Sequence, residues 1–246
     1  MMYIDDLKTF IYNLPTHIRQ EIITVYVYGS ASRNDNDEYS DIDIFVCTKQ
    51  CEQQTYDIIK DMFSRFAENG KFEFAFYQIN NLEYMQKKGS YFLWHIKTEG
   101  VLVYESSKIF DVLLQNLPPY SGTNDDLDEY CDIIKDIKKS ILQDDSTVKY
   151  ELAVMATLAR NICIACCYII GTMDFGRTSP VIKVQQYFGE KFPFSIEEYT
   201  SLYKYRLHNV RDLQIDNLDG IVQYAEDWVK KIEILLTLVK RIEEQY

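Results

Sequence analysis

One stretch of the chain, Gly29-Ser30-Ala31-Ser32-Arg33-Asn34-Asp35-Asn36-Asp37-Glu38-Tyr39-Ser40-Asp41-Ile42-Asp43, sets a small-residue turn ahead of two closely spaced carboxylates. The turn follows Ile22–Tyr28, and the carboxylates lead into Ile42–Cys47; both runs are rich in β-branched and aromatic residues and read as strands. Glycine followed by serine turns the chain without a bulky Cβ, so backbone N–H groups there can approach a phosphate closely. Asp41 and Asp43 stand two apart on extended chain, which puts their carboxylates on one face. Such neighbours repel unless a cation lies between them. Hard oxygen donors suit Mg²⁺ held jointly with the phosphates of a substrate.

A third acid lies further on. In Lys71–Ile79, Phe72, Phe74 and Phe76 alternate with Glu73, Ala75 and Tyr77, so Glu73 faces away from the phenylalanines. If this strand lies beside Ile42–Cys47, three carboxylates converge on one patch. A cluster of that kind can hold two metal ions, which stabilise the attacking and leaving oxygens of an in-line phosphoryl displacement. Glu73 can instead, or as well, accept the proton of an attacking hydroxyl. Alone, a Gly-Ser pair is an ordinary turn and Asp-x-Asp an ordinary solvated strand edge. Their joint spacing carries the inference.

The pattern Gly29-Ser30, ten residues, then Asp41-x-Asp43, with Ser40 before the first Asp and Ile42 and Ile44 around the second, resembles the signature of the polymerase-β-type nucleotidyltransferase superfamily. Phe72-Glu73-Phe74 is similar to the segment that carries the family's third acid. The order of the two halves resembles the aminoglycoside adenylyltransferases, and Leu158-Ala159-Arg160, Gly171, Lys183 and Tyr205-Arg206 are loosely similar to their helical domain. The resemblance implies Mg²⁺-dependent transfer of a nucleoside monophosphate, usually AMP from ATP, to an acceptor hydroxyl with release of pyrophosphate. It implies two Mg²⁺ on Asp41, Asp43 and Glu73, the triphosphate on Gly29 and Ser30, and ATP as co-substrate. Ser40, Arg33 and Lys183 join the candidate nucleotide contacts; Arg33 has the acids Asp35–Glu38 as alternative partners. The first choice of acceptor is a small hydroxylated molecule of the aminoglycoside kind. The alternatives are a protein side chain, as in transferases that AMPylate a partner toxin, and a nucleotide-binding module without turnover.

The surrounding elements divide the chain in two. Helical runs over Asp5–Leu14, Gln53–Glu68 and Phe92–Lys97 and a short strand at Val101–Tyr104 accompany the strands already named. Pro118-Pro119, then Ser121 to Asp125, reads as a linker. Beyond it Leu127–Leu142, Lys149–Ile170 and a stripe from Ile221 to Ile242 are helical. The expected class is α+β: a catalytic domain of mixed sheet and helices over 1–117, then a helical, substrate-binding bundle over 125–246.

Composition narrows the partners. A net charge of −12, from 26 basic and 38 acidic side chains, argues against a general nucleic-acid binder, which needs clustered Lys and Arg. Leu152–Met173 is long enough to span a bilayer, but Arg160 and Asn161 near its middle make it a buried helix rather than a membrane anchor. Six cysteines, three of them inside the apolar run Ile162–Ile170, read as buried thiols of a reducing cytoplasm. Arg160 in its apolar helix demands a partner.

Overall fold

The computed structural model describes residues 2–33, 41–67, 72–211 and 220–244. The chain divides into two compact units, 1–121 and 122–246.

The first unit opens with α1 (Met2–Asn13) and the short α2 (Thr16–Arg19), then β1 (Ile22–Tyr28), which Gly29 ends at a φ of 70°. One helical turn, α3 (Ser30–Arg33), precedes β2 (Ile42–Thr48), α4 (Gln53–Ala67) and β3 (Phe72–Gln78). The unit continues through α5 (Ile79–Lys87), α6 (Tyr91–Glu99), β4 (Val101–Glu105) and α7 (Ile109–Gln115). The strands form one mixed sheet in the order β3-β2-β1-β4. β1 runs antiparallel to β2 and β4, while β2 and β3 are parallel. A parallel pair needs a crossover, and α4 supplies it.

Strand alternation sends side chains to two separate cores. Val25, Val27, Ile44 and Val46 meet Leu7 and Ile11 of α1 and Ile59 and Phe63 of α4. Tyr26, Phe45 and Cys47 meet Leu82 of α5, Leu93 and Ile96 of α6, and Phe110 of α7 on the other face. The phenylalanines of β3 belong to the α4 side. Phe63 lies edge-on to Phe10, Phe74 and Phe76 at 5.1, 5.4 and 5.6 Å between ring centroids. Sequence periodicity missed α5, and also α3 and α7, which are too short to show a full amphipathic stripe.

The second unit is helical: α8 (Thr123–Gln143), α9 (Val148–Ile169), α10 (Ser179–Phe188), α11 (Ile196–Arg211) and α12 (Ile221–Glu243). α9 is its axis, packed against the other four. Among the described residues it is also the one helix long and apolar enough to cross a membrane, and 67% of that window is buried within the protein. Cys163, Cys166 and Cys167 are buried in this core. The partner that Arg160 requires is backbone: Nε donates to the Gly176 carbonyl at 2.8 Å and Nη2 to that of Phe175 at 2.5 Å.

Truncating the fully buried ring of Phe63 tests the α4 crossover. Phe63→Ala is expected to cost about 3–5 kcal/mol, the range for emptying a buried aromatic site. Urea unfolding followed by circular dichroism reads this, and a loss below about 1 kcal/mol would contradict the packing described.

Candidate active site

At one end of the sheet, register sets three side chains in a row. Tyr28 of β1 pairs with Asp43 of β2, and Asp43 pairs with Glu73 of β3. Paired residues on neighbouring strands share a face, here the face opposite the phenylalanines of β3. Asp43 is half-buried and Glu73 exposed. The phenol of Tyr28 registers both acids: burial first, then the charges of Asp43, the Tyr77 phenol and Glu73 raise its pKa well above the ordinary tyrosine value. Tyr28 therefore stays a protonated donor beside the carboxylates.

Gly29 closes the row. A Cβ built on it would lie 2.2 Å from Oδ2 of Asp43, and its positive φ disfavours any other residue. The Gly29 carbonyl accepts from Ser32 Oγ at 2.8 Å and from the Ser32 amide at 3.3 Å. Ser30 begins the one-turn helix that these bonds fold back.

The other candidates separate. Asp41 is exposed and sits one residue before β2, outside the ladder that fixes Asp43. Among the described residues no three His, Cys, Asp or Glu side chains gather closely enough to hold a metal ion. The expected convergence of three carboxylates is thus a register-locked pair, Asp43 and Glu73, with Asp41 preceding the strand. Ser40 lies outside the described residues. Arg33 is held by the carboxylate of Glu99, a partner the sequence did not suggest. Lys183, in the helical unit, binds Asp174 at 2.8 Å; Asp174 also accepts from Ser179 Oγ and the Gly176 amide.

A second charged group flanks the turn. Oε2 of Glu99 meets both Nη1 of Arg33 and Nε2 of His95, the latter at 3.1 Å. Burial would raise the pKa of Glu99, but the hydrogen bond and charge of His95 and the Arg33 guanidinium outweigh it and hold the carboxyl at about 2. The His95 ring stands edge-on to Tyr28, 5.3 Å between centroids. His95 and Glu99 form an i,i+4 pair on a helix stopped at Gly100, the one local signal that might have drawn attention to them.

The donor set fits Mg²⁺. That ion takes one or two carboxylates and completes its shell with water and substrate phosphates, so a cage made by the chain alone is not required. Asp43 and Glu73 offer hard oxygens at an open sheet end, with Asp41 close by in sequence.

Residues 14–109 match the family described as polymerase beta, nucleotidyltransferase. Among solved structures, the chain is similar to a spectinomycin adenyltransferase from Enterococcus faecialis crystallised with ATP and spectinomycin. The likeness covers 94% of this chain and 98% of that one, with a TM-score of 0.55 and 13% identity. It is a likeness of fold. No curated protein matches the chain in sequence.

Two outcomes check this geometry. Gly29→Ala forces a left-handed alanine against Asp43 and is expected to cost about 1–2 kcal/mol from the backbone alone; thermal unfolding at wild-type stability would contradict the close approach. The depressed carboxyl of Glu99 stabilises the fold above its ordinary value of 4.5, and that contribution is lost as pH falls from 4.5 towards about 2. By linkage it amounts to about 3 kcal/mol. Urea unfolding across this window is expected to show a steeper loss for wild type than for Glu99→Gln, and parallel profiles would contradict it.

Proposed function

We propose, for a chain whose residues 14–109 form a polymerase-β-type nucleotidyltransferase domain, that the reaction moves AMP from ATP to a hydroxyl of a small acceptor and releases pyrophosphate. The observation that carries this reading is the pairing of Asp43 with Glu73 directly beside the Gly29 turn. The fold shared with an adenyltransferase solved with ATP and spectinomycin supports ATP as donor and an aminoglycoside-like molecule as acceptor.

In this mechanism the Gly29–Ser30 turn receives the nucleotide's phosphates, because glycine lets backbone come close where a side chain would intrude. Ser40, two residues before β2 in sequence, is assigned as a further phosphate contact on the family resemblance. Asp43 and Glu73, with Asp41, would hold two Mg²⁺, which when bound offset phosphate charge and stabilise the attacking and leaving oxygens. Glu73 serves as metal ligand, as the base that takes the acceptor's hydroxyl proton, or as both. The acceptor oxygen bonds to the α-phosphorus, and the bond from that phosphorus to the bridging oxygen breaks with its electron pair leaving on pyrophosphate. Tyr28, kept protonated, donates beside the acids without competing for the proton. The helical unit is assigned to acceptor binding.

Asp43→Asn and Glu73→Gln are each expected to lower pyrophosphate release roughly 100-fold or more, with circular dichroism unchanged. The assay supplies labelled ATP, Mg²⁺ and a panel of aminoglycosides and aminocyclitols including spectinomycin. Label on the small molecule supports the reading, label on a protein band from added lysate replaces the acceptor class, and undiminished turnover in either variant overturns the mechanism.

A further inference from the structure

We propose that Glu99 is a positioning residue for nucleotidyl transfer: one carboxylate, by binding Arg33 and His95 together, grips both flanks of the Gly29–Ser30 turn and holds it against Asp43. The inference rests on the reading of that turn as the seat of the nucleotide's phosphates.

Connectivity places Glu99 at the right point. It is the last residue of α6, Gly100 ends the helix, and Val101 at the start of β4 pairs with Val27. The carboxylate therefore emerges beside the end of β1, where the chain turns at Gly29. One flank of the turn is Arg33, the last residue of α3, which Glu99 binds directly. The other flank is Tyr28, reached through His95: the imidazole bonds the same carboxylate oxygen and sets its edge against the phenol ring. Tyr28 is in turn the register partner of Asp43.

A helix of one turn does not support itself, because nucleation fixes several residues for a single hydrogen bond. α3 has the local bonds from Ser32 to Gly29 and the buried Ala31, and beyond these it needs an anchor. The Arg33–Glu99 pair is well placed to be one. Its side chains are only 21% and 11% exposed, so water and salt screen them weakly, and the planar guanidinium restricts the geometry the pair can take. Arg33 thereby orders the turn through its hold on Glu99. Without Glu99, nucleotide binding would have to pay the ordering of residues 29–33 at the moment of association.

The test titrates Mg²⁺ and a non-hydrolysable ATP analogue into the full chain by calorimetry and follows amide exchange at residues 29–33 without nucleotide. Glu99→Gln is expected to weaken the analogue about tenfold or more and to speed exchange at 29–33, and Glu99→Asp to restore part of both. Leu236→Ala, a cavity in the core of the helical unit, lowers stability yet is expected to keep wild-type affinity for the analogue. Wild-type affinity in Glu99→Gln, unchanged exchange, or an equal loss in Leu236→Ala overturns the positioning role while the phosphate site stands. A wild-type chain that binds no analogue removes the site and the inference with it. Should Glu99→Gln not fold, Arg33→Met severs the same contact and is read the same way.

Discussion

The parallel ladder between β2 and β3 is the constraint on which the rest depends. Its register puts Asp43 opposite Glu73 and Phe74 opposite Ile44, so a single alternation serves both the acid pair and the hydrophobic core. A slip of one residue would turn Glu73 into the α4 core and take the phenylalanines of β3 out of it. The apolar face therefore enforces the polar one. The aromatic packing of Phe63 against Phe74 and Phe76 makes that slip expensive, and it does so from the side of the sheet away from the acids.

Around this pair the charges fall into two groups with different roles. Asp43 and Glu73 lie at an open sheet end, where mutual repulsion favours an incoming cation. Glu99, by contrast, is satisfied inside the protein by a guanidinium and an imidazole. Its pairs add stability above pH 4.5 and are also directional, since they tie α6 to the turn that follows β1. Gly29 lies between the two groups, close enough to Asp43 that only a residue without a side chain fits.

Much of this was legible in the sequence, and the residues show why. β1 to β4 announce themselves through β-branched and aromatic alternation, and α9 and α12 through long apolar stripes. Phe72-Glu73-Phe74 declares its two faces unaided. What strand alternation cannot give is which strands are neighbours, so the meeting of Glu73 with Asp43 was conditional until the ladder was known. Asp41 lies one residue before that ladder, so the register that pairs Asp43 with Glu73 does not itself fix it. Glu99, which binds Arg33, lies 66 residues away, beyond any local pattern, and Arg160 donates to carbonyls that have no signature of residue type. The seven-residue α7 was invisible because so short a helix carries too few apolar positions to fix a period.

The most direct measurement is a crystal structure of the chain with a non-hydrolysable ATP analogue and Mn²⁺ in place of Mg²⁺, with the metal located by its anomalous scattering. The account requires the metal signal at the carboxylates of Asp43 and Glu73 and the nucleotide's phosphates along Gly29 and Ser30. A nucleotide seated elsewhere, or a metal that touches neither carboxylate, would contradict it.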